Sequence, residues 1–186
     1  GLKALRAGFL EFEEAVRAMQ AGQSSLSLTI AAPRDITCKW LQSRLAVYAS
    51  TVPNLKLALV SADEAIDFTE ANLDIAIRLA SDAGEHEGVA LGEPLFVTVE
   101  APVGAPDQRI DWPGCPLSDT PAVLRVADAG LALEAAATGF GRATVPAMLA
   151  QTDLAEGRIR TVGDPIAASQ SYWLIAPLPQ WRQKKV

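Results

Sequence analysis

LSLTIAAPRDITCKWLQSRLAVYASTVPNLKLALVSADEAIDFTEANLDIAIRLA, residues 26–80, decides the fold. SLSLTIAAP (25–33) is a β-rich run stopped by Pro33. DITCKWLQSRLAVYAS (35–50) puts Trp40, Leu41, Leu45 and Tyr48 on one helical face, with Asp35 or Thr37 able to cap it. Pro53-Asn54 turns the chain, and LKLALV (55–60) is a second strand. SADEAIDFTEAN (61–72) reads as a short helix opened by Ser61 or Asp63, and LDIAIRLA (73–80) as a third strand. Strand, helix, strand, helix, strand predicts a parallel sheet with right-handed crossovers.

Upstream, Leu2, Leu5, Phe9, Phe12, Val16 and Met19 recur every three or four residues, with Arg6, Glu13, Glu14 and Arg17 opposite. That is a long amphipathic helix ended by Gly22. Its stripe packs on its own core or serves dimerisation. Downstream, SDAGEHEG (81–88) reads as a loop, and VALGEPLFVTVEAP (89–102) as extended on both sides of Glu93-Pro94. Seven of the twelve prolines fall between 94 and 146, and the region 101–121 reads as the entry to a second lobe. AVLRVAD (122–128) is a strand. AGLALEAAATG (129–139) is an alanine-rich helix closed by Gly139. RATVPAMLAQTDLAEG (142–157) is a strand and then a helix after Pro146. RIRTVG (158–163) and SYWLIAP (171–177) are the last strands.

Composition narrows the function classes. The 186 residues are 49% hydrophobic and carry a net charge of −6. Phosphate backbones repel such a surface on average, so this chain is not expected to bind DNA by itself. No apolar run approaches the roughly 20 residues of a membrane span. The N-terminus lacks the pattern of a signal peptide, so a cytoplasmic location is expected. Cys38 and Cys115 make no disulfide framework, and the single histidine, His86, sits in a loop. No metal and no cofactor are expected. GxSxG, P-loop and GxGxxG motifs are absent, so no enzyme is expected.

The ordered series of motifs resembles the effector-binding domain of LysR-type transcriptional regulators. Trp40-Leu41, Arg44-Leu45 and Tyr48 follow a small-residue/Pro loop. A Pro53-to-Leu59 strand and then Leu73-Asp74-Ile75-Ala76-Ile77-Arg78 complete the first lobe. ADAGLALEAAATGFGRATVPAMLAQTDLAEGRI (127–159) is similar to the second lobe. The nearest subgroup resembles the glycine-cleavage activator. The winged helix-turn-helix of the family is missing, and 101–121 is short and proline-rich. The resemblance implies an α/β fold of two Rossmann-like lobes with a ligand cleft between them, like a type 2 periplasmic binding protein. It divides the chain into a linker helix (1–22), lobe I (23–96), lobe II (97–168) and a return to lobe I (169–186).

In such sheets ligands collect at the carboxyl ends of strands, where helix N-termini offer N–H donors and partial positive charge. The expected effector is therefore a small carboxylate or amino acid. Thr37 donates to it and Arg34 pairs with it, beside Asp35; alternatively Asp35 and Thr37 only cap the helix. Ser61 reaches the same anion or is a plain cap, and Asp63 suits an amine. Arg78 belongs to a family motif and is more often structural. Val126 and Asp128 face from the second lobe, where Asp128 is also read as a cap, and Thr144 joins them. Trp40, Tyr172 and Trp173 read as packing residues. A cysteine in the first turn of a helix raises redox sensing, but Cys38 and Cys115 do not match the cysteine pairs of redox-sensing relatives. The expected partners are a second copy, as a homodimer or tetramer, and DNA only through the missing domain. The helix 37–50 and the helix after Gly141 are the candidate dimer elements. The alternative is a stand-alone small-solute-binding protein.

Overall fold

A computed structural model describes residues 27–62, 68 and 73–177. The expected N-terminal helix and the body of the 61–72 helix, Asp63 included, lie outside the described residues. The described chain forms two compact units. The first holds the segments up to Thr37, Leu41–Glu93 and the chain from Ser169. The second holds Cys38–Trp40 and Pro94–Ala168.

In the first unit, β1 (Ser27–Ala32), β2 (Lys56–Ser61), β3 (Ile75–Ala80), β4 (Glu87–Ala90) and β11 (Ser171–Ala176) lie in the order β2-β1-β3-β11-β4. β1 runs parallel to both β2 and β3, as the sequence predicts. β11 enters antiparallel between β3 and β4. Alternation along β1 buries Leu28 and Ile30 fully, and Ile75 and Ile77 do the same on β3. The register of β1 against β3 is pinned by Asp74. Its Oδ2 accepts the Thr29 N–H at 2.8 Å and its own N–H donates to the Thr29 carbonyl at 3.0 Å. On the other face Ala31, Leu73, Ala76 and Ile175 cluster with Phe68 and Trp173. Phe68 also meets His86 edge-on at 4.9 Å.

Helix α1 follows β1 without a break, in three segments: Arg34–Ile36, a wide π-type turn Thr37–Leu41, and Gln42–Thr51. The Gln42 N–H bonds to the Thr37 carbonyl, five residues back. The wide turn has a packing rationale. Trp40 and Leu41 are neighbours in sequence, and both are fully buried, as are Ile36 before them and Leu45 and Tyr48 after them to within a few per cent. A regular 3.6-residue turn would aim one of two adjacent side chains away. The expected cap is corrected here: Pro33 holds the N-cap position, and neither Asp35 nor Thr37 caps the helix. Instead the N–H and the hydroxyl of Thr37 both donate to the Pro33 carbonyl, at 3.1 and 2.9 Å.

In the second unit, β5 (Leu95–Glu100), β6 (Arg109–Asp111), β7 (Ala122–Arg125), β8 (Arg142–Pro146) and β10 (Ile166–Ala167) follow the order β10-β5-β8-β6-β7, and β9 (Arg160–Thr161) also pairs with β5. The proline-rich region therefore contains a strand, β6, that its turn residues hid, and β9 is only two residues of the six expected at 158–163. Helices α2 (Ala129–Thr138) and α3 (Ala147–Ala155) pack on β8 and β5. Asp128 caps α2 by accepting the Leu131 N–H at 2.8 Å, and Gly139, at φ 94°, closes it in the left-handed conformation. The small side chains of Ala129, Ala132 and Ala136 let α2 approach closely, and all three are fully buried, as are Ala143 and Val145 of β8.

Four charges gather in this unit. Lys39 Nζ bonds to Glu134 and lies 3.0 Å from Asp153 Oδ2. Arg158 reaches Asp153 at 2.7 Å and Glu134 at 2.8 Å. Burial alone pushes the Lys39 ammonium down, but the two carboxylates outweigh it and hold its pKa above the ordinary value. Hydrogen bonds from Arg158 and then Lys39 pull the Glu134 carboxyl from 4.5 down to about 2. A carboxyl depressed on folding stabilises above its unfolded pKa, and that contribution is lost as pH falls toward the folded value. Acid unfolding of the chain should therefore steepen between pH 4.5 and 2, and Glu134→Gln should flatten that window in a circular-dichroism titration. Glu134 is about half exposed (47%), so solvent screening keeps the effect modest.

Candidate functional site

The parallel strands β1 and β2 end together. Ala32 of β1 stands opposite Ser61 of β2, and the Ala62 N–H continues the ladder to the Ala32 carbonyl at 3.1 Å. β1 and β3 pair through Ala31 and Ala76, so Arg78, two residues on, stands level with Pro33. Strand ends thus bring Arg34, Asp35, Thr37 and Ser61 to the carboxyl end of the sheet, where α1 begins, and Arg78 stands nearby within β3, two residues before that strand ends.

Their individual chemistry differs. Arg34 is exposed at the helix start. Asp35 Oδ1 accepts the Ile36 N–H at 2.7 Å. The proton of the Thr37 hydroxyl goes to Pro33, which leaves its lone pairs as the outward-facing part of the group. Ser61 is exposed at the last position of β2. Arg78 is exposed opposite Trp173 and shares a sheet face with Ala76, that of the Ala31–Ile175 cluster.

In the second unit, Val126 is half-buried and its N–H donates to the Asp111 carbonyl at 2.9 Å. Asp128 spends one carboxylate oxygen on the α2 cap. Thr144 lies mid-strand on β8, with its hydroxyl 2.8 Å from that of Thr98 on β5 and its carbonyl accepting from Trp112 Nε1 at 2.8 Å. Thr144 also lines a cavity of about 250 Å³ together with Thr98, Gln108, Arg109 and Arg142. Sequence reasoning missed those four. The alternation Arg142-Ala143-Thr144-Val145 signals a polar sheet face opposite a buried one, but Gln108 and Arg109 sit in the proline-rich entry to the second lobe.

The thiols are both free. Cys38 is exposed, and burial, foremost among several influences, pushes the Cys115 thiol above its ordinary pKa. Among the described residues, no group of three His, Cys, Asp or Glu side chains is placed to hold a metal ion.

No protein-family model matches the chain. Solved structures do match. The effector domain of the transcriptional regulator AmpR of Pseudomonas aeruginosa superimposes with a TM-score of 0.63 at 23% identity, over 82% of this chain and 85% of that one. The AmpR effector-binding domain from Citrobacter freundii gives 0.65 at 19% identity, over 86% and 94%. The fold is that of a LysR-type effector-binding domain. Full-length AphB of Vibrio cholerae, a LysR-family virulence activator, matches over 99% of this chain and 73% of its own length, with a TM-score of 0.69 at 13% identity. By sequence, the AhcY transcriptional activator HvrB of Rhodobacter capsulatus is 26% identical over 204 aligned positions, which span 94% of this chain and 68% of HvrB. The LysR-type effector-domain fold thus comes with relatives that are transcriptional regulators. The narrower likeness to the glycine-cleavage activator rests on the sequence alone.

Proposed function

We propose that this chain is the ligand-sensing regulatory domain of a LysR-type transcription factor and is not an enzyme. The observation that carries the reading is the shared fold with effector domains such as those of AmpR, together with the convergence of Thr37, Ser61 and Arg34 at the strand-end edge where α1 starts. The effector is a small carboxylate or amino acid: the Ser61 hydroxyl, the Arg34 guanidinium and helix N–H groups hold its carboxylate, and the Thr37 oxygen, its proton spent on Pro33, accepts from an amine or hydroxyl of the ligand. Binding biases the arrangement of subunits and so changes the grip on DNA of a winged helix-turn-helix domain elsewhere in the regulator. The protein works in the cytoplasm as a homodimer. β2 at its sheet edge and the exposed Val47 (62%) and Val60 (41%) offer part of that interface.

A thermal-shift screen of the purified chain against amino and carboxylic acids tests the proposal, because a ligand that binds only the folded state must raise the Tm. A dose-dependent shift by one class supports it. Turnover of such a compound would overturn the non-enzymatic reading. With the effector in hand, Thr37→Ala should weaken binding about five- to tenfold in a calorimetric titration. The protein should remain folded, since the lost bond to Pro33 duplicates one made by the Thr37 N–H. Unchanged affinity removes Thr37 from the site.

A further inference from the structure

We propose that the polar face of the second sheet binds a small hydroxylated carboxylate, at a pocket separate from the strand-end positions above. The pocket lies entirely within Pro94–Ala168 and does not depend on the reading of the first unit.

Its floor is made by strand alternation. Thr98 pairs with Thr144 across β5 and β8, and Arg109 pairs with Arg142 across β6 and β8. Two hydroxyls and two guanidiniums therefore stand side by side on one face. Each guanidinium is held from its own side. Arg109 Nη1 bonds to Asp111 at 2.7 Å and its Nε to the Thr120 carbonyl at 3.3 Å. Arg142 Nε bonds to Glu100 at 3.0 Å and its Nη1 to Asp107 at 3.1 Å. These bonds leave Nη2 of Arg142 outside them, while Arg109 also hydrogen-bonds to the Cys115 thiol. Each guanidinium is already paired with a carboxylate and so held in place, and a ligand oxyanion would take up the N–H groups these pairs leave over. The acidic group lining the cavity, Asp107, is 74% exposed, while Asp111 and Glu100 hold the guanidiniums from the side, so the inner wall presents oriented N–H donors.

The remaining lining calls for hydroxyls on the ligand. The Thr98–Thr144 pair shares one proton between two oxygens and so keeps a further donor and acceptors. The Gln108 side-chain amide makes no hydrogen bond to any other described residue, although it is half-buried in the pocket wall. The outer wall is the 113–120 loop, tucked in at Gly114. There φ is +102° and a Cβ would stand 2.9 Å from the Trp112 ring. The volume of about 250 Å³ exceeds the roughly 150 Å³ that holds a benzene ring, so it admits an acid of about six carbons.

Isothermal titration of the 186-residue chain with sodium D-gluconate tests this, with D-glucose and inorganic phosphate as separate arms. The expected result is binding of gluconate, with glucose and phosphate each about tenfold weaker or more. Gln108→Ala and Thr98→Val should each weaken gluconate about fivefold with an unchanged Tm, and Thr37→Ala should leave it unaltered. Absence of gluconate binding overturns the proposal. Glucose or phosphate binding as tightly as gluconate overturns the ligand class. Loss on Thr37→Ala with Gln108→Ala silent would place the ligand at the strand ends, overturning this site while supporting the other.

Discussion

Trp40→Ala is expected to destabilise the chain by about 3–5 kcal/mol and to lower its Tm by roughly 10 °C or more, read by calorimetry or thermal circular dichroism. Among the described residues Trp40 is the largest fully buried side chain, and it sits inside the wide turn of α1. Truncation removes its apolar burial and leaves a cavity in a close-packed interior. Trp40→Phe should recover about half of the loss by refilling the volume. A change below 1 kcal/mol for the alanine variant would mean that the turn relaxes to a regular helix and re-aims Leu41 into the space.

Gly141→Ala should cost a comparable 2–4 kcal/mol, although it adds a single methyl group. A Cβ on Gly141 would stand 2.5 Å from the Gln108 carbonyl oxygen, well inside any tolerated contact. That oxygen is fixed, since it accepts the Arg142 N–H at 2.8 Å. Backbone must therefore move, and the β6–β8 pairing begins at this very point with Arg109 and Arg142. Gly139→Ala, two residues away, is the contrast. Nothing lies within 4 Å of its added Cβ, and only its φ of 94° is strained, so about 1 kcal/mol is expected. Equal destabilisation by the two variants in urea melts would count against the close approach as the cause.

The first sheet was legible because its signals are local and agree. A β-rich run in 25–33, a single apolar stripe in 35–50 and a stop at Pro33 all point one way. The capping of α1 was misread because Asp35 and Thr37 are good caps by type. The chain instead begins its helix one residue earlier, with Pro33 as cap and the Thr37 hydroxyl turned back on it. β6 was missed for a different reason. Three residues, Arg109–Asp111, flanked by prolines, carry no periodicity, and they form a strand only because β7 and β8 pair on either side. Gln108 and Arg109 were hidden with it, and no sequence signal places Arg142 beside Arg109; the register of β6 on β8 does. Asp128 was legible in its plainer role, as the helix cap.

The position of β11 governs the order in which the protein can be made. Residues 171–176 fill the gap between β3 and β4, so the first sheet stays open until that segment has left the ribosome. The stretch Pro94–Ala168, whose strands pair only with one another, is complete well before then. Synthesis therefore releases a chain whose later-made half folds first, while the earlier-made strands wait with unpaired edges. Those exposed edges of β3 and β4 are the segments that a chaperone would have to shield during translation.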